Sequence, residues 1–282
     1  MILQKEIRDK AIEWSVPPDT VDKDYVLGHF LSGFAHNFKE QLIFKGGTCL
    51  RKCYFPGYRF SEDLDFTSIK KRFELEEKQL REVCEKISVH SGIQFHFDTI
   101  EELRYKDDIK GYQIRIRYWG ANHSRNQAPL PVDRWQTAIK LEISVDEILI
   151  TKPEFKAIHH PYSDQFLSEE EIHCYSLHEI TAEKIRSLKQ RSYTAPRDYY
   201  DLYHLTDSLS GEDWRNLAGL VQQKMKHKQL SYSSAEELVS EKSIIQVLKA
   251  WDKSIAHQVS VNDEVNKQKV VQTVAERIKK YL

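Results

Sequence analysis

Apolar residues recur at helical spacing over residues 21–40, where Val26, Leu27, Phe30, Leu31, Phe34 and Ala35 mark a buried stripe. The run Leu42-Ile43-Phe44 follows and stops at Lys45-Gly46-Gly47, which reads as a strand ending in a glycine turn. A helical pattern resumes over residues 48–54, so the glycines lie at a strand-to-helix junction. Backbone N–H groups there lack intrahelical partners and can receive an anion. After the turn residues Phe55-Pro56-Gly57, the segment Asp63-Leu64-Asp65-Phe66 alternates as a half-buried strand does. Leu64 and Phe66 take one face, Asp63 and Asp65 the other.

A charged helix is predicted near residues 72–90, then alternating strands at residues 93–97, 112–118 and 138–145. In the last of these Ile139, Leu141 and Ile143 point inward, and Lys140, Glu142 and Ser144 outward. The pattern gives about five strands in a mixed sheet. From about residue 168 it becomes helical, with an acidic start at Glu169-Glu170-Glu171, a long helix near 178–191 and further helices to Leu282. The predicted class is α+β: residues 1–165 form an α/β domain with N-terminal helices, and residues 166–282 a helical domain.

Composition narrows this picture without redirecting it. With 282 residues, 30% charged and 11% aromatic, the chain has core formers enough to exclude disorder as its main theme. No stretch approaches the roughly 18 apolar residues of a membrane span, and the N-terminal segment carries charges where a signal peptide is apolar. A cytoplasmic protein without a membrane partner is expected. Cys49, Cys53, Cys84 and Cys174 form no CxxC pair, and buried thiols are expected in preference to a zinc half-site. The formal charge of -1 means that a polyanion would have to meet a local basic patch.

Several residues carry candidate chemistry. Asp63 and Asp65 project from one strand face, where like charges repel unless a hard cation such as Mg2+ joins them. Such spacing also occurs on solvated strands. Glu142 shares the outward face of its own strand and offers a third carboxylate; with Lys140 it also suits a merely solvated face. Lys45-Gly46-Gly47-Thr48 suits phosphate but lacks the Walker A pattern, which disfavours a P-loop ATPase. On the long helix, Leu177, Ile180, Ile185 and Leu188 define an apolar arc that includes Lys184 and Arg191 and leaves Glu179, Arg186 and Gln190 outside. Cations on a buried arc need a carboxylate or a phosphate. Asp198, just after Pro196, is placed either to complement its helix dipole or to orient Lys184 or Arg191.

Other candidates are weaker. His159, His160, His173 and His178 are expected as loop or surface histidines. Ser61 lies in no nucleophile elbow. Arg115 and Arg117 share a strand face with Gln113 and Trp119, a solvated face or a platform for nucleic acid.

The runs Phe44-Lys45-Gly46-Gly47-Thr48-Cys49-Leu50-Arg51-Lys52 and Arg59-Phe60-Ser61-Glu62-Asp63-Leu64-Asp65-Phe66 strongly resemble the AbiEii/AbiGii-type toxins of the nucleotidyltransferase superfamily. The resemblance continues through Lys140-Leu141-Glu142-Ile143, Glu183-Lys184-Ile185-Arg186 with Arg191, and Arg197-Asp198-Tyr199-Tyr200-Asp201-Leu202, covering residues 20–205. It implies a nucleotidyltransferase-like sheet whose active site is completed by the helical domain. It further implies two Mg2+ ions, or Mn2+, on Asp63 and Asp65. Glu142 would stand where other members often carry Asp. Lys45, Gly46, Gly47, Thr48, Ser61, Lys184 and Arg191 would bind the NTP, with Asp198 a further catalytic acid.

Such toxins act in toxin–antitoxin or abortive-infection systems, beside a winged-helix antitoxin encoded nearby. Some related members extend the 3' end of tRNA; others are described as GTP-binding. The resemblance implies a toxin that transfers NMP from an NTP to an RNA acceptor, the tRNA 3' end. The rivals are a non-catalytic nucleotide- or RNA-binding regulator on the same fold, and transfer to a small molecule or protein.

Overall fold

The computed structural model describes residues 1–124, 126–169, 171–191, 195–260 and 265–282. Glu170 of the predicted acidic helix start lies outside them. The chain divides into two compact units: Met1–Glu147 with Pro153–Cys174, and Ile148–Lys152 with Tyr175–Leu282.

The first unit opens with α1 (Gln4–Trp14) and α2 (Pro18–Phe38) and then builds its sheet. Its strands are β1 (Leu42–Lys45), β2 (Asp63–Ser68), β3 (Gln94–Tyr105), β4 (Asp108–Trp119), β5 (Ala138–Ser144), β6 (Glu154–Lys156) and β7 (Ile172–Cys174). Between β1 and β2 runs α3 (Gly46–Cys49), continued by a π-helical turn, Leu50–Tyr54; α4 (Glu77–Ser91) precedes β3. The sheet is mixed, in the order β3-β4-β5-β2-β1-β7-β6. β2 runs parallel to β5 and β1 to β7, and the other neighbours are antiparallel. The seven described strands exceed the expected five because β6 and β7 have three residues each, too few to show a period.

Alternation decides which face is the core. Leu64, Phe66, Ile114, Ile116, Ile139, Leu141 and Ile143 are buried. Phe66 meets Phe44 and Phe34 at ring-centroid distances of 5.1 and 5.2 Å, which brings α2 onto that side. Asp63, Asp65, Lys140 and Glu142 occupy the opposite face. His160, expected in a loop or at the surface, lies in a loop, where it is tucked beside His29 and Asp164 with its Nε2 3.1 Å from the Asp164 carboxylate. Residue spacing does not report that packing.

Two aspartates of α2 staple this unit. Asp24 is buried and accepts from Arg51 Nε at 2.6 Å and Lys52 Nζ at 2.7 Å. Burial alone would raise its pKa, but Arg51 and Lys52 together hold it well below the carboxylate range. Asp22 accepts from the backbone N–H of Ala121 at 2.6 Å and of Asn122 at 3.1 Å. Burial pushes its pKa up to about 6, against these lowering hydrogen bonds. A carboxyl with a raised folded-state pKa binds its proton more tightly in the folded chain. Stability from this group is therefore present below about pH 4 and lost as pH rises toward about 6. Asp22→Asn should flatten a slope of up to about 1.4 kcal/mol per pH unit in that window, read from urea denaturation at pH 4 to 7. An unchanged slope would show that Asp22 does not titrate there.

The second unit is helical: α5 (Leu177–Gln190), α6 (Pro196–Ser208), α7 (Gly211–His227), α8 (Glu241–Ile255) and α9 (Lys267–Tyr281). Side-chain caps start several of these helices, among them α5, α7 and α9, where Asn266 accepts from Lys269 N. Ser176 Oγ accepts from Glu179 N, and Ser210 and Asp213 form a reciprocal capping box. The placement of Glu179 and Arg186 on the outer side of α5 is overturned, since both are buried. α7 packs against α5, and Lys224 of α7 reaches Glu179 at 2.6 Å. An amphipathic count assumes one buried arc, whereas α5 is covered on two sides.

Candidate active site

The site of the first unit is built from the glycine turn and three strands. Lys45 ends β1 directly opposite Asp65 in the β1–β2 register. Gly46 follows with φ +83°, a left-handed conformation that a side chain resists, and a Cβ there would collide with the Asp65 carboxylate. At Gly47 a Cβ would lie 2.8 Å from Arg59 Nη2 and 3.1 Å from Ser61 Oγ. Thr48 Oγ1 donates to the backbone carbonyl of Asp63 at 2.5 Å. The turn is thus fastened to the strand that carries the aspartates.

Register then assembles the carboxylates. On parallel β2 and β5, Asp65 pairs with Glu142 and Asp63 with Lys140. On antiparallel β4, Gln113 stands opposite Glu142 and Arg115 opposite Lys140. These side chains line one cleft of 360 Å³, with Asp63, Asp65 and Glu142 along it and Lys140 and Arg115 beside them. The three acids line the cleft without closing on a single point. Oxygen-only donors on one face suit a hard divalent cation far better than a soft one. Of the predicted site residues, Lys45, Gly46, Gly47, Thr48, Ser61, Asp63, Asp65 and Glu142 therefore belong to one constellation.

Sequence reading missed two supporting residues. Asp24 holds Arg51 and Lys52 on the helical run after the glycines, and Arg59 packs against Gly47. Both lie far enough in sequence from what they touch that no local period reveals them. The Arg115 and Arg117 platform is partly neutralised, since Asp98 lies 3.3 Å from Arg115 and 3.0 Å from Arg117.

Gly46→Ala tests the close approach. Forcing alanine into a left-handed conformation costs about 1–2 kcal/mol, and its methyl must displace Asp65. A displacement near 1 Å at a reacting centre loses about 100-fold in rate, so the transfer that the sequence resemblance implies should fall by that order while the protein still folds. Steady-state kinetics beside thermal melting would check it; wild-type turnover would remove Gly46 from the site.

The remaining predicted residues form a cluster within the helical unit. Lys184 lies 2.8 Å from Asp198 and 2.7 Å from Asp201, and Arg191 lies 2.5 Å from Asp198. Asp198 and Asp201 are buried. Lys184 of α5 and Arg191 thus meet carboxylates of α6, and Asp198 does more than complement its helix dipole; the expected place of Arg191 on the apolar arc is overturned, because α5 ends at Gln190 and leaves Arg191 as an exposed, extended cap. Lys184→Ala should lower stability by about 2 kcal/mol, less than a wholly unpaired buried charge would, because Asp198 keeps Arg191. Urea denaturation would measure this, and a change below about 0.5 kcal/mol, the size of an ordinary surface effect, would contradict it.

Comparison with known proteins gives this geometry its class. The fold is that of a nucleotidyltransferase toxin: MenT4 of Mycobacterium tuberculosis H37Rv superposes with a TM-score of 0.58 at 19% identity, covering 99% of this chain and 98% of that one. No curated protein matches the sequence significantly. The family profile described as "Nucleotidyl transferase AbiEii toxin, Type IV TA system" matches residues 29–276, and the chain belongs to that family. It is a nucleotidyltransferase toxin of a type IV toxin–antitoxin system. Membership brings an NTP as substrate, a divalent metal as is typical of such enzymes, and an antitoxin as partner. The match also takes in the helices beyond residue 205, which the sequence resemblance left unassigned. No helix among the described residues is long and apolar enough to cross a membrane.

Proposed function

We infer that the protein is a Mg2+-dependent nucleotidyltransferase that transfers NMP from an NTP to the 3'-OH of an RNA, the acceptor end of tRNA. The observation that carries this reading is the register that sets Asp65 beside Glu142 and shares a face with Asp63, with the glycine turn pressed against Asp65. In the reaction the acceptor oxygen bonds to the α-phosphorus, the bond to the β-phosphate bridge breaks, and pyrophosphate leaves.

Asp63, Asp65 and Glu142 would hold the Mg2+ ions, with Mn2+ as a substitute. Bound there, these ions would offset charge on the attacking and leaving oxygens. The backbone N–H groups of Gly47 and Thr48 would receive the triphosphate, with Lys45 and Ser61 beside them. Thr48 fixes the turn to β2, so phosphates and metal-binding acids keep one geometry. Lys140, in the same cleft, would supply positive charge for the backbone of an incoming RNA. Lys184 and Arg191 would bind phosphate while Asp198 orients them, and in Lys184→Ala a raised KM for NTP in folded enzyme would separate that role from stability. The cognate antitoxin would be a winged-helix protein.

Incubation with Mg2+, total tRNA and each α-labelled NTP in turn, beside Asp63→Ala, tests the reading. Label in RNA that is absent from the control names the reaction and the nucleotide. No incorporation by folded, NTP-binding protein would overturn RNA transfer and favour a small-molecule or protein acceptor, or a non-catalytic regulator.

A further inference from the structure

Three of the chain's four cysteines meet at one point of the first unit. The Sγ atoms of Cys49, Cys53 and Cys174 all lie within 4.8 Å of one another. Cys49 ends α3 and Cys53 lies four residues on in the π-helical turn, so one side of that helical run presents both. Cys174 ends β7, which is brought alongside by its parallel pairing to β1, Phe44 opposite Cys174. All three are free thiols; Cys49 and Cys174 are buried, and Cys53 is half-buried and gives the cluster contact with solvent. Cys84 makes a useful contrast, since it packs alone beside Leu80, Val83 and Ile87 on α4 as an ordinary buried thiol does.

We propose that Cys49, Cys53 and Cys174 form a three-thiolate zinc site, separate from the carboxylate cleft and completed by one exchangeable external ligand. Zinc–sulfur bonds of about 2.3 Å put the sulfurs of a tetrahedral site about 3.8 Å apart, within the separation already present, so small side-chain rotations close it. Thiolates select zinc over Mg2+, while the acids of the cleft favour the reverse, and one unit thereby sorts two metals by donor softness. Three thiolates around Zn2+ carry a net negative charge. Lys52 and Lys156 act electrostatically on Cys53, each while paired to a carboxylate, Asp24 and Glu154 respectively. Binding fastens the helical run behind the glycine turn to β7, the strand beside β1. Each thiol releases one proton as its sulfur bonds to the metal, and no oxidant or reductant is needed.

The test uses the reduced full-length chain and Co2+ as a spectroscopic substitute. A near-ultraviolet thiolate-to-cobalt charge-transfer band should saturate at one equivalent and be abolished by Zn2+ but not by excess Mg2+. It should persist in Asp63→Ala, which loses the carboxylate site, and weaken at least 100-fold in affinity in Cys53→Ser, whose half-buried position tolerates the change. Zn2+ should also protect Cys49, Cys53 and Cys174, but not Cys84, from alkylation in mild denaturant. The absence of a band in folded protein would overturn the proposal, as would a band surviving in both Cys53→Ser and Cys174→Ser, or one lost in Asp63→Ala. If Cys174→Ser does not fold, Cys53→Ser decides alone.

Discussion

Replacing Asp63 or Asp65 by alanine is expected to reduce nucleotide transfer by about 1,000-fold or more and to leave the fold intact. A factor of that size corresponds to about 4 kcal/mol of lost transition-state stabilisation, within the range for removing one preorganised electrostatic group. The structural half of the expectation follows from charge. Asp63, Asp65 and Glu142 line the same cleft, and like charges on one face repel. Deleting one relieves repulsion, so melting in the presence of a chelator should be unchanged or slightly higher. With Mg2+ and NTP added, wild-type protein should gain stability and the variants should not, since only a ligand that binds the folded state shifts the transition. Incorporation of labelled NMP, measured beside melting curves, checks both halves. Turnover near wild type in folded Asp63→Ala and Asp65→Ala would falsify the assignment of these acids to the reaction.

The second large effect belongs to stability. Lys224→Met should destabilise the protein by about 3–5 kcal/mol, the range for stranding one partner of a buried ion pair. Lys224 and Glu179 are both fully buried, 2.6 Å apart. Lys224 also donates to the Ile148 carbonyl at 2.9 Å, and Glu179 accepts from the backbone N–H of Thr151 at 2.8 Å. The pair therefore joins α5 and α7 to the short segment Ile148–Lys152 of the same unit. Adding Glu179→Gln to Lys224→Met should recover part of the loss, because glutamine still accepts from Thr151 without leaving a charge unpaired. Chemical denaturation of the two single variants and the double variant gives the coupling directly. A loss below about 1 kcal/mol in Lys224→Met would show that water reaches this pair.

These two cases mark where sequence reading succeeds and where it stops. Asp63 and Asp65 were legible because a strand has a period of two, and Leu64 and Phe66 between them fix the inner face. The glycine turn was legible because Gly46 and Gly47 follow an apolar run and precede a helical one. Glu142 was placed on the outer face of β5 by the same alternation, but its partnership with Asp65 waited on the parallel pairing of β2 and β5. The helical period places Lys184 on the inner side of α5, where the structure supplies Asp198 and Asp201; Arg191 also meets Asp198, but from an exposed cap beyond the helix end, which the period does not reveal.

By itself, then, the sequence determined the local elements, the face each strand turns to the core, and the motif that names the family. Those are properties of backbone period and turn chemistry, which a few neighbouring residues settle. The tertiary structure decided what lies across from each of them: Asp24 against Arg51 and Lys52, Glu179 against Lys224, Cys174 beside Cys49 and Cys53. It also decided β6 and β7, strands of three residues that exist only because neighbouring strands satisfy their backbone hydrogen bonds. A buried charge or thiol gains its meaning from a partner distant in sequence, and only the folded chain brings the two together.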